Sequence, residues 1–358
     1  MVVKMVLLLC LIFLIVIYFV FDEKKYKEYG VLISLLLIFS LFAFRNMVGI
    51  DDDNYRIYYD LIKFGSVETF FNISGVEYSY YLICKVFTIL NFNYKAVFFF
   101  YSSIGFIFIE KTLNKFTLNK KQYFLFFLSF LAFSLVPFIT VMRQFTATAI
   151  GIYVICDNKV NFKNIVLLIL SFCLHNTSII FLPILFISKL DFFNNKKIYI
   201  LLPLLAIFLN VTGIFYWLIK IILKGTSYYR YVLEANITIF GGAGKVVITM
   251  FLAYLFNLIF LNNDIKNKNI NILLFLQMIF FTLYFLCSGL GVLGRMYYFF
   301  IFFEPISLIM ICTNLKKYNN IAYYLSSLFF IFLIIYELLI EFERFNIINY
   351  SINFWRWL

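Results

Sequence analysis

The sequence predicts an all-α, polytopic integral membrane protein. Hydrophobic residues make up 64% of the 358 residues and charged residues only 13%, whereas soluble domains contain about 25% charged residues. The mean hydropathy of +0.95 agrees with this class, and lysine-rich segments separate long apolar runs along the whole chain. We therefore expect one transmembrane domain over residues 1–358 without a soluble domain.

The apolar runs predict where the chain crosses the membrane. Runs that could cross about 30 Å of hydrocarbon lie at 5–21, 30–44, 95–109, 122–141, 144–156, 198–219, 243–261, 270–288, 295–313 and 320–339. Segment 77–91 is ambiguous because it contains Lys85, and 164–188 is too long for one span and short for two. Together they predict about 11–13 transmembrane or re-entrant helices.

Lysine clusters in the short connecting segments predict the topology. Cytoplasmic loops of membrane proteins carry an excess of lysine and arginine. All the lysine clusters face the cytoplasm if 77–91 does not fully cross and if 164–188 folds as a helical hairpin with its tip outside. Both termini then face outward. The net charge of +12 follows from these loops, so we expect no nucleic-acid partner.

This topology places an external segment at 45–77 and collects most arginines outside the membrane. Arginine presents a planar fork that suits phosphate groups, so the external face indicates a site for an anionic ligand. Three adjacent carboxylates, Asp51, Asp52 and Asp53, lie near the start of the segment, and one or two of them should point inward. They suit a general base, or a cation site formed by Asp51 with Asp53; the alternative is a solvated loop cap.

Ionisable residues at membrane depth are costly and usually functional, and a few occur here. Glu77 opens a tyrosine-rich stretch of either substrate-binding or interfacial residues. Arg143 precedes small residues that permit close helix packing; it either faces a cavity or extends to the head groups. His175 is the only histidine, which excludes a multi-histidine metal site. It is a proton acceptor, a donor to pyrophosphate, or a hydrogen-bonded interior side chain. Arg295 follows a glycine-rich turn.

The order and spacing of these residues resemble the EpsG family of Wzy-like polymerases of O-antigen, capsule and exopolysaccharide. The resemblance covers about residues 40–300. It rests on Arg45-x-x-x-Gly49-x-Asp51-x-x-x-Tyr55, Glu77, Arg143-Gln144, His175-x-x-Ser178 before Leu182-Pro183, and Gly294-Arg295-x-x-Tyr298. One departure is Tyr78-Ser79 after Glu77, where the family often has Pro-Gly.

The resemblance implies an inverting membrane glycosyltransferase of GT-C-like architecture in the bacterial cytoplasmic membrane. Its site would face the periplasm or exterior and transfer a growing undecaprenyl-pyrophosphate-linked glycan onto a new lipid-linked repeat unit. The implied partners are that lipid-linked oligosaccharide, the bilayer, a chain-length regulator and a flippase. We expect no cofactor and no bound metal.

The resemblance also suggests roles for individual residues. We expect catalytic roles for Asp51, His175 and Glu77, pyrophosphate binding by Arg143, Arg295 and Arg45, and sugar binding by Tyr55, Gln144 and Tyr298. Asp51 is favoured as the base because it occupies the matching position of the family motif. Neighbouring arginines would keep His175 neutral, so it could instead donate to phosphate. A metal held by Asp51 and Asp53 is the alternative role of these carboxylates.

Three other functions compete with polymerisation. A flippase for lipid-linked oligosaccharides should show internal repeats with paired broken helices, and the two halves show no such similarity. A membrane O-acyltransferase takes its acyl donor from the cytoplasm, which argues against an external His175. A ligase of the O-antigen type, acting on the same lipid-linked donor, is the closest rival.

Overall fold

A computed structural model describes residues 2–46, 51–74, 76–116, 118–190, 195–226, 229–233, 244–260, 268–287, 290, 296, 298–301, 320–347 and 351–352. The chain divides into two compact units, the first comprising Met1–Phe186 with Leu338–Leu358 and the second Ile187–Glu337. Each unit is described by itself.

The first unit contains the helices that carry most of the predicted site residues. They are α1 (Val2–Val20), α2 (Glu23–Lys25), α3 (Val31–Ala43), α4 (Asp52–Phe64), α5 (Val67–Ser74), α6 (Tyr78–Ile89), α7 (Lys95–Leu113), α8 (Lys120–Ser129), α9 (Leu135–Thr140), α10 (Met142–Asp157), α11 (Phe162–Leu174) and α12 (Phe181–Ile187). π-Helical turns at Tyr26–Gly30 and Phe130–Ser134 join α2 to α3 and α8 to α9, and Asn176–Ile180 forms a 3-10 helix. Two-residue strands, β1 (Arg45–Asn46) and β2 (Ser351–Ile352), pair antiparallel.

The second unit contains α13 (Lys196–Val211), α14 (Ile214–Ile222), α15 (Tyr229–Leu233), α16 (Gly244–Phe260), α17 (Lys268–Cys287), α18 (Tyr298–Ile301) and the first part of α19 (Asn320–Ile347). Helices α13 and α17 pack together. The Asn210 side-chain amide donates to the carbonyl of Phe285 at 2.6 Å, and the Tyr199 hydroxyl bonds to Asn271 at 2.5 Å. Tyr254 of α16 donates to the Tyr199 carbonyl at 3.2 Å.

The described helices confirm an all-α, polytopic membrane protein. Three are long and apolar enough to cross a bilayer, namely Glu23–Ala43, Lys95–Leu113 and Asn320–Leu339, and shorter apolar helices include Leu8–Val20, Phe162–Leu174, Asn176–Ile187 and Asn271–Cys287. The expected span at 295–313 lies largely outside the described residues. Helix α6, with 12 residues, is only about 18 Å long, which is less than the hydrocarbon thickness.

One expected span differs from the structure. The run 198–219 does not form a single straight helix, because Lys197–Val211 and Ile214–Ile222 meet at an angle of 80°. Gly213 lies between them with a φ of +71°, a left-handed conformation that glycine adopts at little cost. Hydropathy is continuous across this bend, so a hydropathy pattern alone does not reveal it.

Close packing in the first unit aligns α7 and α10 in parallel. The Thr146 hydroxyl donates to the Tyr101 carbonyl at 2.8 Å, and Phe108 contacts the Tyr153 ring further along both helices. Gly105 lies against the Phe145 ring, where an added Cβ would collide with it. This pairing fixes the position of Arg143, at the start of α10, relative to α7.

The segment 164–188 returns along α10. The Asn164 side-chain amide donates to Asp157 at 2.9 Å and the Ser171 hydroxyl donates to the Ala147 carbonyl at 2.8 Å, so α11 runs antiparallel to α10. Beyond the break at residue 175, Phe181 packs against Gly151, and the chain therefore runs back towards the end of α10. At 13 residues, α11 is only about 20 Å long.

We expect cysteine labelling to report the side on which this turn lies. In a variant lacking the native cysteines, Asn176→Cys should react with a small membrane-impermeant thiol reagent in intact cells, because Asn176 is exposed at the turn. Lys121→Cys, exposed at the start of α8, should react only after the cells are opened, since it lies in a lysine-rich loop. Labelling of position 121 but not of position 176 in intact cells would contradict this topology.

Candidate active site

A carboxylate, a guanidinium and an imidazole from three distant parts of the chain meet in the first unit. Glu77 immediately precedes α6, Arg143 is in the first turn of α10, and His175 lies at the break after α11. One Glu77 oxygen pairs with Arg143 Nη1, and the other lies 3.2 Å from His175 Nδ1. We call Glu77, Arg143 and His175 the triad.

Local backbone structure brings the triad together. His175 has an extended conformation with a φ of −158°, which ends α11 and turns the imidazole towards Glu77. The Asn176 backbone N–H then donates to Glu77 Oε1 at 3.0 Å. The Ser79 hydroxyl donates to the Cys173 carbonyl, which joins the start of α6 to the end of α11. These bonds fix Glu77 relative to His175.

The contacts of Glu77 indicate how the triad is oriented. An ionised carboxylate only accepts hydrogen bonds, and the Glu77 oxygens face the Arg143 guanidinium and the Asn176 N–H. Opposite an ionised Glu77, His175 Nδ1 is the donor, and in a neutral imidazole the lone pair then resides on Nε2. This arrangement can orient a general base.

The Arg143 guanidinium is enclosed by aromatic rings. Its carbon lies 5.6 Å from the centre of the Tyr55 ring and 5.4 Å from that of Tyr80, distances at which cation–π attraction operates. The side chains of Arg143 and Glu77 are only 15% and 9% exposed. Arg143 Nε is buried and makes no hydrogen bond to the described residues. A buried donor of this kind is costly and suits a ligand oxygen.

Tyr55 contacts the triad through Arg143, and Asp51 lies one helical turn before Tyr55. Burial raises the pKa of the Tyr55 phenol, Arg143 lowers it and Asp51 raises it, with a net upward shift. The Tyr55 hydroxyl therefore stays protonated and able to donate. Asp51 is half-buried at the start of α4, whereas Asp53 is exposed. Within the described ranges, no three His, Cys, Asp or Glu side chains are grouped as a metal site requires.

Arg45 and Asp52 form a separate buried pair. Both side chains are 0% exposed, and Arg45 Nε and Nη2 each lie 3.0 Å from an Asp52 oxygen. Asp52 is thus the member of the three aspartates that points inward. The sequence did not indicate this pairing, which occupies the guanidinium of Arg45.

The remaining predicted residues are not part of the triad. Gln144 is buried within α10, and Tyr298 belongs to α18 in the second unit. Arg295 lies outside the described residues, so its predicted role stays a prediction. The sequence also did not indicate Tyr80 or the Asn176 N–H. The tyrosine-rich stretch after Glu77 was the only signal for Tyr80.

An apolar cavity of about 610 Å³ lies elsewhere in the first unit. Aromatic side chains of α6, α7 and the residues between them form most of its wall. The lining residues are Phe44, Phe87, Phe92, Asn93, Ala96, Phe99, Phe100, Ser103 and Ile104. It shares no lining residue with the triad, so the hydrogen bonds of the triad, and not this cavity, define the candidate site.

A match to one protein family covers nearly the whole chain. Residues 28–352 match the EpsG family, and this range includes the triad and the Arg45–Asp52 pair. No curated protein and no solved structure matches the chain. The match confirms the resemblance that the order of Arg45, Glu77, Arg143 and His175 indicated, and this chain belongs to the EpsG family of Wzy-like polymerases.

Proposed function

We propose that this protein is an inverting polysaccharide polymerase acting on undecaprenyl-pyrophosphate-linked glycans at the external face of the bacterial cytoplasmic membrane. It transfers the growing chain from its lipid carrier to the non-reducing end of a new lipid-linked repeat unit. The observation that supports this most strongly is the triad, in which one carboxylate holds both an imidazole and a guanidinium. Membership of the EpsG family supports the polymerase role.

In this proposal His175 is the general base. The acceptor hydroxyl must lose its proton as its oxygen attacks the anomeric carbon of the donor, and the base must lie within about 3 Å of it. His175 Nε2 accepts that proton while Glu77 holds Nδ1–H and stabilises the imidazolium. Asp51 was favoured from sequence; the contact of His175 Nδ1 with a Glu77 oxygen at 3.2 Å supports His175 instead.

Arg143 would stabilise the leaving group. As the oxygen forms its bond to the anomeric carbon, the bond from that carbon to the pyrophosphate oxygen breaks and its electron pair stays on the pyrophosphate. A preorganised donor in a water-poor site stabilises such charge much more than a solvated one. The Arg143 side chain is 15% exposed and its Nε has no partner in the described residues, so its guanidinium is the donor proposed for this oxygen. The proton on His175 then passes to solvent.

A glycan ladder tests the function in cells. Deletion of the gene should remove long chains while single repeat units remain attached to their final acceptor. Loss of every attached glycan would instead identify a ligase. Purified protein supplied with lipid-linked repeat units should form long chains without other proteins, and failure in both experiments would refute the proposal.

Asp51→Asn distinguishes the two candidate bases. If His175 is the base, we expect this variant to keep its polymerisation rate within about tenfold of the wild type, whereas loss of a general base costs about 10²–10⁴-fold. The assay should be repeated with a chelator, which should leave the wild-type rate unchanged. A loss above 10²-fold in Asp51→Asn would make Asp51 the base, and inhibition by the chelator would reveal a metal.

A further inference from the structure

We propose that Arg45 is a positioning residue that acts through Asp52 and does not contact the substrate. This inference rests on the proposed function, because it concerns how the polymerase site is assembled. Arg45 and Asp52 would form a buried latch between the end of α3 and the start of α4. The latch holds Tyr55 against Arg143 of the triad.

The Arg45 guanidinium has contacts on several sides. Nε and Nη2 bond to Asp52, and Nη1 donates to the Phe42 carbonyl at 2.9 Å. The guanidinium carbon lies 4.2 Å from the centre of the Phe98 ring. A side chain with 0% exposure and these partners offers little to a ligand, whereas Arg143 has a buried N–H without a partner in the described residues.

The latch joins two helix ends with complementary charge. Phe42 lies in the last turn of α3, where backbone carbonyls lack partners within the helix and a cation is favourable. Asp52 is in the first turn of α4, where a carboxylate is favourable. The bidentate geometry also fixes the direction between the two groups. Arg45 therefore fixes the position and direction in which α4 begins.

The position of α4 matters because it carries site residues. Tyr55 lies one helical turn after Asp51 and contacts the Arg143 guanidinium with its ring. Tyr80 donates to the Tyr55 carbonyl at 3.3 Å. A displacement of a site residue by about 1 Å can lower a reaction rate by about 10²-fold. Loss of the latch should therefore slow the reaction even though Arg45 and Asp52 do not contact the substrate.

Arginine labelling tests the proposal on the wild-type protein. Full-length protein in membranes is treated with phenylglyoxal, with and without lipid-linked repeat units, and modified arginines are identified by mass spectrometry. Arg56, exposed on α4, should react in both samples and serves as the control. Arg45 should remain unmodified in both. Reaction of Arg45 that the lipid-linked substrate prevents would overturn the proposal.

Variants of both partners provide a kinetic test. Arg45→Lys and Asp52→Asn should each lower kcat about 10²-fold, with KM for the lipid-linked donor within about twofold because no substrate contact is lost. The double variant should be no slower than the slower single variant. Arg56→Lys and Asp60→Asn, at exposed positions of α4, are matched controls that should retain wild-type rates.

The outcomes separate this inference from the proposed function. Full activity of Asp52→Asn together with an inactive Arg45→Lys, or additive losses in the double variant, would show that Arg45 acts on the substrate directly. If the variants do not fold, the labelling of wild-type protein decides the question. An absence of polymerisation by wild-type protein would refute the function, while the labelling pattern would still test the latch.

Discussion

Glu77→Gln is expected to slow polymerisation by purified protein by about 10²–10⁴-fold, the usual contribution of a general base. A glutamine amide has one oxygen and one NH₂ group, so it cannot accept from Arg143, Asn176 and His175 together. If the NH₂ group faces His175, Nδ1 must become an acceptor and the proton moves to Nε2. The imidazole would then be in the wrong tautomer to accept a proton from the substrate.

The control for this variant is Glu68→Gln, at an exposed position of α5, which should retain the wild-type rate. Removal of the Glu77 charge also leaves Arg143 without its counter-ion in a mostly buried position, which is destabilising. Rates must therefore be expressed per folded protein, with folding checked by size-exclusion chromatography and thermal unfolding. A wild-type rate in Glu77→Gln would rule out that Glu77 orients His175 as the general base.

His175→Ala provides the second half of this test because it preserves the Glu77–Arg143 ion pair. We expect a loss as large as that of Glu77→Gln, and the double variant should be no slower than the slower single one. Groups that act as a unit in catalysis show such non-additive losses. Additive losses would mean that Glu77 and His175 act in separate steps.

Arg143→Lys is expected to lower kcat about 10²–10³-fold, nearly as much as Arg143→Ala. Lysine keeps the positive charge and can still pair with Glu77, but it lacks the planar fork and the Nε donor. The loss of kcat in Arg143→Lys therefore measures the contribution of the guanidinium geometry and not that of the positive charge. Steady-state kinetics with lipid-linked repeat units should show the effect in kcat, because the charge on the pyrophosphate grows as its bond to the sugar breaks.

The matched control is Arg56→Lys, the same substitution at an exposed position, which should leave kcat unchanged. Arg143→Ala with full activity at a normal protein level would remove Arg143 from the reaction. A change in KM alone would mean that the substrate and the transition state lose the same binding energy. Arg143 would then contribute to substrate binding only.

Much of the fold follows from patterns that are local in sequence. The apolar runs at 30–44, 95–109 and 320–339 predicted helices because membrane-spanning segments must be apolar and must satisfy their own backbone hydrogen bonds. The bend within the run 198–219 was not predicted because a left-handed Gly213 redirects the chain without changing its hydropathy. Hydropathy measures the preference for lipid, and it contains little information on backbone direction.

The sequence predicted which residues belong to the candidate site but not which of them contact one another. A lone histidine and an arginine in apolar surroundings signal function because burying them is costly, and Glu77, Arg143 and His175 were all identified on that basis. Their mutual contacts were not predictable, since the members of the two Glu77 pairs are 66 and 98 residues apart in the chain. The sequence favoured Asp51 as the base for its motif position, and the contact between Glu77 and His175 is what led us to propose His175.

The sequence by itself determined the membrane class, the family and the small set of ionisable residues worth considering. Only the tertiary structure decided which of these residues pair. Arg45 and Arg143 are alike in sequence, each an arginine after an apolar run, yet one is held by Asp52 with 0% exposure and the other by Glu77 beside His175. The physical reason is that hydropathy and charge are properties of single residues, whereas ion pairs and tautomers depend on distances that helix packing sets.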